Sequence, residues 1–270
     1  MSSSDAAAST PADAWSGTWM PELVAFDLDD TLAPSKSPVD PRMLELFSEL
    51  LDVAQVCVIS GGQIGQFRAQ LLDRLSGIDE AKLARLHLMP TCGTQYWRFG
   101  PGGWTQVYAE NLTSEQIADA FASLERRAKE LGYWESETWG PILEDRGSQV
   151  TFSALGQEAP VDIKRAWDPT GEKKNTLRAA VQDDLPELEA RSGGSTSIDI
   201  TRSGIDKAYG MEKLVQLVGI PIERMLFIGD RLDPEGNDYP VKSTGVATHA
   251  VDGWQDTAAV VERLVATARS

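Results

Sequence analysis

The sequence predicts an α/β protein with a doubly wound parallel sheet of the Rossmann type as its core and an inserted α+β domain. Short apolar runs that end at polar residues predict strands buried on both faces, and Leu23–Phe26 is the first of them. Segments of helical periodicity separate these runs, which is the alternation expected of a parallel sheet. A middle part of the chain instead shows strands with one polar face, and this change of pattern predicts the second domain.

The first part of the core is predicted within residues 19–97, after a flexible tail at residues 1–18 that is rich in Ser, Ala and Thr. Asp40 is a predicted N-cap, since Pro41 suits the first position of the helix that follows. The predicted elements are a strand at 22–26, a helix at 41–51, a strand at 53–59, a helix ending near 75 and a strand at 86–89.

The inserted domain is predicted within residues 98–195, where Trp, Gly and Tyr cluster and alternating strands replace the buried ones. Ser114 and the two residues after it predict a capping box for a helix at 114–131. The second part of the core is predicted within residues 196–270, with a helix at 207–218, a strand at 225–228 and a helix at 257–268. Four tryptophans are predicted to form the core of the inserted domain, with a sugar-stacking surface as the alternative. They are Trp97, Trp104, Trp134 and Trp139.

Charge and composition limit the classes of partner. Lys plus Arg is 25 and Asp plus Glu is 41, so the formal net charge is −16, which opposes binding to nucleic acid or to an anionic membrane. No apolar run reaches the length of a membrane span, no secretory leader opens the chain, and two cysteines give no disulfide framework. We therefore predict a cytoplasmic protein without nucleic-acid or membrane partners.

Two carboxylates stand at the tip of the first predicted strand. Asp27 and Asp29 share one side of an extended segment, because side chains alternate with a period of two. Two carboxylates held together repel each other, so a cation or a shared proton accompanies such a pair, and their oxygens suit Mg²⁺. The alternative is a strand end with solvated acids before a turn.

Three further polar signals follow predicted strands or open predicted helices. Ligands of open parallel sheets bind beyond the carboxyl ends of the strands, so these signals are expected to meet the aspartate pair. Each signal is weak alone, and their order and spacing together are specific. They are Ser60 with Gly61 and Gly62, Lys207, and Asp230 with Asn237 and Asp238.

With these residues the chain resembles the haloacid dehalogenase-like phosphohydrolase superfamily. Asp27-Leu-Asp-Asp-Thr31 resembles its first motif, Ser60 its second and Lys207 its third, and Gly229-Asp230 with Asn237-Asp238 resembles its fourth. The resemblance implies an enzyme with the parallel core and inserted cap predicted above.

The resemblance narrows to the sheet-capped branch, which includes eukaryotic-type phosphomannomutases and Cof-like sugar-phosphate phosphatases. Ser197-Ile-Asp199, Gly204-Ile-Asp-Lys207 and Pro234-Glu-Gly-Asn-Asp238 are similar to the phosphomannomutases. By this resemblance Arg146 stands where the family places a phosphate-binding cap arginine, and Ser197 and Asp199 where it binds sugar hydroxyls.

Two positions depart from the phosphomannomutase pattern. Lys36 stands where the family has an arginine after the first motif, and Gln157 stands where it has a second cap arginine. A mutase turns a bisphosphorylated intermediate round and needs phosphate ligands at both ends of its pocket. Lysine lacks the bidentate fork of arginine and glutamine lacks the charge, so these departures favour hydrolysis.

The roles expected from this chemistry follow residue by residue. Asp27 would attack phosphorus and form an aspartyl-phosphate, and Asp29 would act as general acid and then as general base. Mg²⁺ would be held by Asp27, the backbone carbonyl of Asp29 and Asp230. The remaining expected roles are phosphate binding by Ser60, Gly61 and Lys207, support of the metal by Asn237 and Asp238, and substrate binding by Lys36, Arg146, Ser197 and Asp199.

The sequence thus predicts a Mg²⁺-dependent phosphatase that hydrolyses a sugar phosphate or a similar small metabolite through an aspartyl-phosphate. The first alternative is a phosphomannomutase with the same intermediate, and a third hypothesis is a non-catalytic binding protein on this scaffold. A homodimer formed through the cap is the predicted oligomeric state.

Overall fold

The structure, a computed structural model, describes residues 15–270. Two sheets and the helices packed on them make up this part of the chain. The strands are β1 (Leu23–Phe26), β2 (Gln55–Ile59), β3 (Leu86–Met89), β4 (Gln95–Gly100), β5 (Gly103–Ala109), β6 (Leu143–Asp145), β7 (Val150–Ser153), β8 (Leu188–Ser192), β9 (Ser197–Arg202), β10 (Met225–Gly229) and β11 (Ala247–Ala250). The helices are α1 (Pro41–Val53), α2 (Ile64–Gln70), α3 (Glu80–Leu83), α4 (Ser114–Glu130), α5 (Val161–Trp167), α6 (Glu172–Asp184), α7 (Lys207–Val218) and α8 (Trp254–Arg269).

The larger sheet has the strand order β11-β10-β1-β2-β3-β4-β5. The first five of these strands run parallel, and β4 and β5 extend the sheet as an antiparallel hairpin. β1 lies between β10 and β2, so the residues that follow these three strands come together at one edge of the sheet. That edge is where ligands bind in open α/β sheets.

Helices cover both faces of the parallel strands, which explains why β1 is apolar at every position. Val24 and Phe26 pack in a cluster with residues of α1 and α8 on one face. Leu23 and Ala25 pack with Met211 of α7 on the other face. This burial on both sides is typical of parallel sheets, and it confirms the predicted fold class.

The smaller sheet is antiparallel, with the order β6-β7-β9-β8, and we call it the cap sheet. One face carries apolar residues that form a core with α4 and α6. The opposite face is polar and lines a cavity between the cap sheet and the strand ends of the larger sheet. The apolar residues are Val150, Phe152, Ile198 and Ile200, and the polar ones are Thr151, Ser153, Ser197 and Asp199.

The predicted domain boundaries at residues 98 and 195 do not coincide with the limits of the two sheets. β4 and β5 belong to the larger sheet, although most of this hairpin lies within the predicted insertion. β9 belongs to the cap sheet, and the predicted boundary at residue 195 falls just before it. Antiparallel strands with one polar face look alike in sequence, so alternation alone did not tell which sheet they join.

Three smaller predictions also need correction. Residues 1–14 of the predicted tail lie outside the described residues. Trp15, also in that tail, is only 4% exposed, and its backbone N–H donates to the Thr248 carbonyl at 3.1 Å. The capping box of α4 is formed by Thr113 and Gln116, one residue before the predicted cap. Of the four tryptophans only Trp134 packs on the cap core; Trp97 and Trp104 pack on the larger core, and Trp139 is 42% exposed.

No helix within residues 15–270 combines the length and the apolar character needed to cross a bilayer.

Candidate active site

Asp27 stands at the centre of the larger sheet, directly after β1. Its backbone N–H donates to the carbonyl of Ile228 at 3.0 Å, so the pairing of β1 with β10 continues to this residue. Its side chain is buried, because the flanking strands and the cap leave the residue 4% exposed. Neighbouring strands therefore hold this carboxylate in place at the ligand-binding edge.

Lys207, the first residue of α7, contacts Asp27 and does not itself line the cavity. Its Nζ lies 2.6 Å from Asp27 Oδ1 and 2.5 Å from Asp238 Oδ1. Carboxylate oxygens of Asp27, Asp230 and Asp238 all lie within 4.8 Å of one another. One ammonium thus faces three carboxylates, and the cluster holds an excess of negative charge.

Burial and charge shift the proton affinities of this cluster. Burial raises the pKa of Asp27 well above its ordinary range, and the attraction of Lys207 offsets this only in part. Burial, followed by repulsion from Asp238, raises the pKa of Asp230 to about 6. Burial disfavours the charge of Lys207, but Asp238 and Asp27 outweigh it and raise the pKa of the ammonium. One cation is therefore too little to neutralise the three carboxylates, whereas Lys207 itself stays protonated.

The donor set of the cluster fits a hard divalent cation. Asp238 is fully buried and does not line the cavity; its Oδ1 binds Lys207 and its Oδ2 accepts the Arg231 N–H at 3.0 Å. Asp27 and Asp230 keep oxygens that face the cavity, and oxygen ligands are those that Mg²⁺ prefers. A cation at these two residues would relieve the repulsion that raises their pKa values. The cluster could therefore hold a metal ion.

Asp29 lies at the same strand end, but its carboxylate is held away from this cluster by nitrogen donors. Oδ1 accepts the backbone N–H of Lys36 at 2.7 Å and the Gln70 amide at 3.2 Å, and Oδ2 accepts the Gln66 amide at 2.7 Å. Neither glutamine is predicted from the sequence. Their only signal was their spacing of four residues, which puts them on one face of the helix after the Ser60 turn.

The loop after β2 joins the core to the cap. Ser60 lines the cavity, and its Oγ accepts the N–H of Gly62 at 3.1 Å. The Gly61 carbonyl accepts Arg146 Nη1 at 3.1 Å and Gln149 Nε2 at 3.2 Å, both from the cap. The cap is therefore closed on this loop.

Arg146 is fixed at the cap side of the cavity. Its side chain is 8% exposed and forms an ion pair with Glu144 at 2.7 Å, and Gln63 of the core binds the same glutamate at 2.6 Å. Asp199 Oδ1 accepts the Thr151 hydroxyl at 2.7 Å, and burial raises the pKa of this carboxyl group.

A pair of lysines meets at the cavity mouth, and the sequence analysis found only one of them. Lys36 Nζ lies 2.5 Å from Gln157 Oε1, so the two positions that depart from the family pattern contact each other. Lys164 of α5 donates to the Gln157 carbonyl at 2.7 Å. Burial, followed by repulsion from Lys36, lowers the pKa of Lys164 to about 8. α5 has no buried residue, so its sequence carried no periodic signal.

The structure brings the predicted site residues together around one cavity of about 840 Å³. Lys207 and Asp238 lie beneath it, buried behind Asp27. The predicted residues that line it are Asp27, Asp29, Lys36, Ser60, Gly61, Arg146, Ser197, Asp199, Asp230 and Asn237.

The family model and the relatives found by sequence comparison are consistent with this set of site residues. The family model described as haloacid dehalogenase-like hydrolase matches residues 152–240. Phosphomannomutase of Schizosaccharomyces pombe is 25% identical over 261 residues, which cover 90% of this chain and 93% of that protein. Phosphomannomutase 1 of Homo sapiens is 23% identical, with 87% of this chain and 88% of that protein covered.

Solved structures share the fold at low identity. IMP-nucleotidase of Plasmodium falciparum, in an N-terminally truncated form, superposes with a TM-score of 0.67 at 15% identity and covers 91% of this chain and 70% of that chain. Trehalose-6-phosphate phosphatase of Aspergillus fumigatus superposes with a TM-score of 0.53 at 16% identity, with coverages of 90% and 92%.

A capped parallel sheet with an aspartate and lysine cluster at its strand ends defines an enzyme of the phosphatase and phosphomutase class. The family model, the phosphomannomutase relatives and the shared fold support the predicted resemblance to the haloacid dehalogenase-like superfamily.

Proposed function

We propose that the chain is a Mg²⁺-dependent hexose phosphate mutase that works through a phosphorylated Asp27. The observation that carries the proposal is a cavity with a group that suits phosphate at each end. The carboxylates of Asp27 and Asp230 at the core end could hold Mg²⁺, and Lys36, Lys164 and Arg146 lie at the cap end. In a chain of net charge −16, a metal site at one end and cations at the other suit a substrate with two anionic groups.

The chemistry proposed at the core end follows from the positions of the side chains. Asp27 attacks phosphorus as the bond to the sugar oxygen breaks, and Asp29 gives that oxygen a proton. Ser60 and Gly61 face the non-transferred oxygens, and Lys207 balances the charge of Asp27. Mg²⁺ bound by Asp27 and Asp230 would supply charge neutralisation at the phosphoryl oxygens. A hydroxyl of the sugar then takes the phosphoryl group back while Asp29 recovers its proton.

The cap end now favours the mutase over simple hydrolysis. The replacement of two family arginines by Lys36 and Gln157 by itself favours hydrolysis. Lys164 donates to the carbonyl of Gln157, so a second lysine lies beside one of the two replaced positions. The relatives that match across most of the chain are named phosphomannomutases, which supports the same reading.

Hydrolysis of a sugar phosphate is the second candidate. It is favoured by the chemistry of the replaced arginines, since two ammonium groups and an amide cannot form the bidentate contacts of a guanidinium. Water would then take the phosphoryl group from Asp27 in place of a sugar hydroxyl.

One assay separates these candidates. The protein is incubated with Mg²⁺, mannose 1-phosphate and a small amount of a hexose bisphosphate, and the products are measured. Mannose 6-phosphate as the main product supports the mutase, and free phosphate alone supports the hydrolase. If a panel of phosphorylated metabolites gives neither product, the proposal of an enzyme is wrong and the binding-protein hypothesis returns.

Lys164 gives a prediction for the cap end. Lys164→Met should raise KM for the bisphosphate about 10-fold or more, because a hydrogen bond from a charged group contributes about 1.5–3 kcal/mol. The pKa of about 8 means that the wild-type lysine loses its charge as the pH rises through that value. We expect kcat/KM of the wild type to fall above about pH 8.

Two variants control this prediction. Lys164→Arg keeps its charge and should show a flatter alkaline limb of the pH profile than the wild type. Lys129→Met removes a cap lysine that pairs with Glu125 at the surface, and it should leave KM unchanged. An unaltered KM in Lys164→Met would exclude this lysine from the substrate site.

A further inference from the structure

The carboxylate of Asp29 is the centre of a cradle of nitrogen donors, which we define as Gln66, Gln70 and the backbone N–H of Lys36. The Lys36 N–H and the Gln70 amide both bind Oδ1, at 2.7 Å and 3.2 Å. Gln66 alone binds Oδ2, at 2.7 Å. A carboxylate oxygen offers two lone-pair directions, so Oδ1 is saturated and Oδ2 keeps one direction free. Asp29 lines the cavity, into which that free direction can open.

The orientation of the Gln70 amide is fixed by its neighbours. Its nitrogen donates to Asp29 Oδ1 and also to the carbonyl of Ser37 at 3.0 Å. Both partners are pure acceptors when Asp29 is ionised, so the reversed amide would place three oxygens together. Gln70 is 2% exposed, and its Oε1 has no hydrogen-bond partner among residues 15–270. An unsatisfied buried carbonyl is unfavourable, and here it accompanies two donor bonds that hold Asp29 and the Ser37 loop.

Lys36 connects the cradle to the cap. Its backbone adopts a left-handed conformation with φ of 56°, which is uncommon for a residue with a side chain. In this conformation the N–H binds Asp29 while Nζ binds Gln157 of the cap. Lys36 therefore contacts the closed cap through its side chain and Asp29 Oδ1 through its backbone.

From this arrangement we infer that Gln66 and Gln70 are positioning residues that align Asp29 Oδ2 for proton transfer. The inference rests on the proposed function, in either its mutase or its hydrolase form. As the phosphorus–oxygen ester bond breaks and the bond to Asp27 forms, the proton on Asp29 Oδ2 passes to the leaving sugar oxygen. The donors on Oδ1 keep the proton from being placed on the oxygen that faces away from the substrate.

The test compares leaving groups that differ in their need for a proton. Glucose 1,6-bisphosphate must release an alkoxide and needs the acid, whereas p-nitrophenyl phosphate releases a stable phenolate and does not. Each substrate carries a radiolabel in its phosphoryl group, and the rate of phosphoenzyme formation is measured in single turnovers. The proteins compared are Gln66→Met, Gln70→Met and the wild type. We expect both variants to lose about 10- to 100-fold with the bisphosphate and to react normally with the aryl phosphate.

A matched control separates alignment from folding. Gln182 also donates from one amide to two backbone carbonyls, those of Leu185 and Leu188, but it lies in the cap away from Asp29. Gln182→Met should react with both substrates as the wild type does. If the buried Gln70 variant does not fold, the half-buried Gln66 variant carries the test alone.

The outcomes that count against the inference are distinct. Equal losses with both substrates, or no loss with either, would overturn the role of the glutamines while leaving the proposed function intact. Failure of the wild type to form a phosphoenzyme from either substrate would overturn the proposed function, and this inference with it.

Discussion

Replacing Asp27 by asparagine is expected to abolish phosphoenzyme formation and, at the same time, to stabilise the metal-free protein. The loss of activity should be about 10⁴-fold or more, because the amide is not a nucleophile toward phosphorus. The gain in stability follows from the cluster, in which one ammonium faces three carboxylates. An amide of the same shape removes one buried charge and leaves Lys207 paired with Asp238.

The sign of the stability change depends on pH in a defined way. The pKa of Asp27 is higher in the folded protein than its ordinary value of 3.8, so the folded state binds the proton more tightly than the unfolded chain does. Ionised Asp27 therefore destabilises the fold increasingly as the pH rises above about 3.8. The advantage of Asp27→Asn should be absent near pH 3.8 and should grow as the pH rises toward neutral.

Thermal unfolding in the presence of a chelator measures this effect. Asp145→Asn is the control, because Asp145 is an exposed carboxylate of the cap that accepts the Gly147 N–H and lies outside the cluster. It should change stability much less than Asp27→Asn does. An Asp27→Asn protein that unfolds more easily than the wild type at neutral pH would show that the Lys207 ion pair outweighs the repulsion.

The core of the site was predictable because its residues are tied to strand ends. Asp27, Ser60 and Asp230 each follow a buried apolar run, and a parallel sheet brings such positions to one edge. Burial on both faces made these runs continuous in the sequence and easy to read. Lys207 was found only through the order of the motifs, because a lysine at a helix start is by itself more often solvated.

The cradle around Asp29 was not predictable, because its members act through contacts across the fold. Gln66 and Gln70 lie on a helix 37 and 41 residues along the chain from Asp29. Glutamine is an ordinary helix residue, and nothing in its local pattern distinguishes a donor to a distant carboxylate from a solvated side chain. The backbone N–H of Lys36 carries no sequence signal at all.

The cap was predicted as a layer but not in its details. The alternation of Ile198 and Ile200 with polar residues in β9 showed a half-buried strand, but it did not show which sheet the strand joins. The cap end of the cavity depends on Lys164, which lies on a short helix without buried residues. The position of Lys164 at the cavity, which bears on the choice between mutase and hydrolase, therefore required the structure.

Replacing Lys207 by methionine is expected to be the most destabilising single change in the site. Methionine matches the length of the buried stem, but it leaves Asp27 and Asp238 without their shared cation. Removing one partner of a buried ion pair costs about 3–5 kcal/mol in free energy of unfolding. Phosphoenzyme formation should also fall sharply, because the phosphate would then approach an unshielded carboxylate.

The matched control is Lys213→Met, on the same helix. Lys213 pairs with Glu110 at 2.8 Å, but both side chains are about one-third exposed, so its loss should cost less than about 1 kcal/mol. Equal losses for the two lysine variants in urea unfolding would contradict the assignment of Lys207 as the cation of a buried cluster.

The pH dependence distinguishes lost charge from lost packing in Lys207→Met. Carboxylates that lose their cation bind protons more tightly in the folded state, so the penalty should shrink as they become protonated. It should be small near pH 3.8, the ordinary value for Asp, and should grow through about pH 6, where Asp230 titrates. A packing defect would be independent of pH. Saturating Mg²⁺ should recover part of the lost stability in the variant, because a cation held by Asp27 and Asp230 replaces some of the missing positive charge.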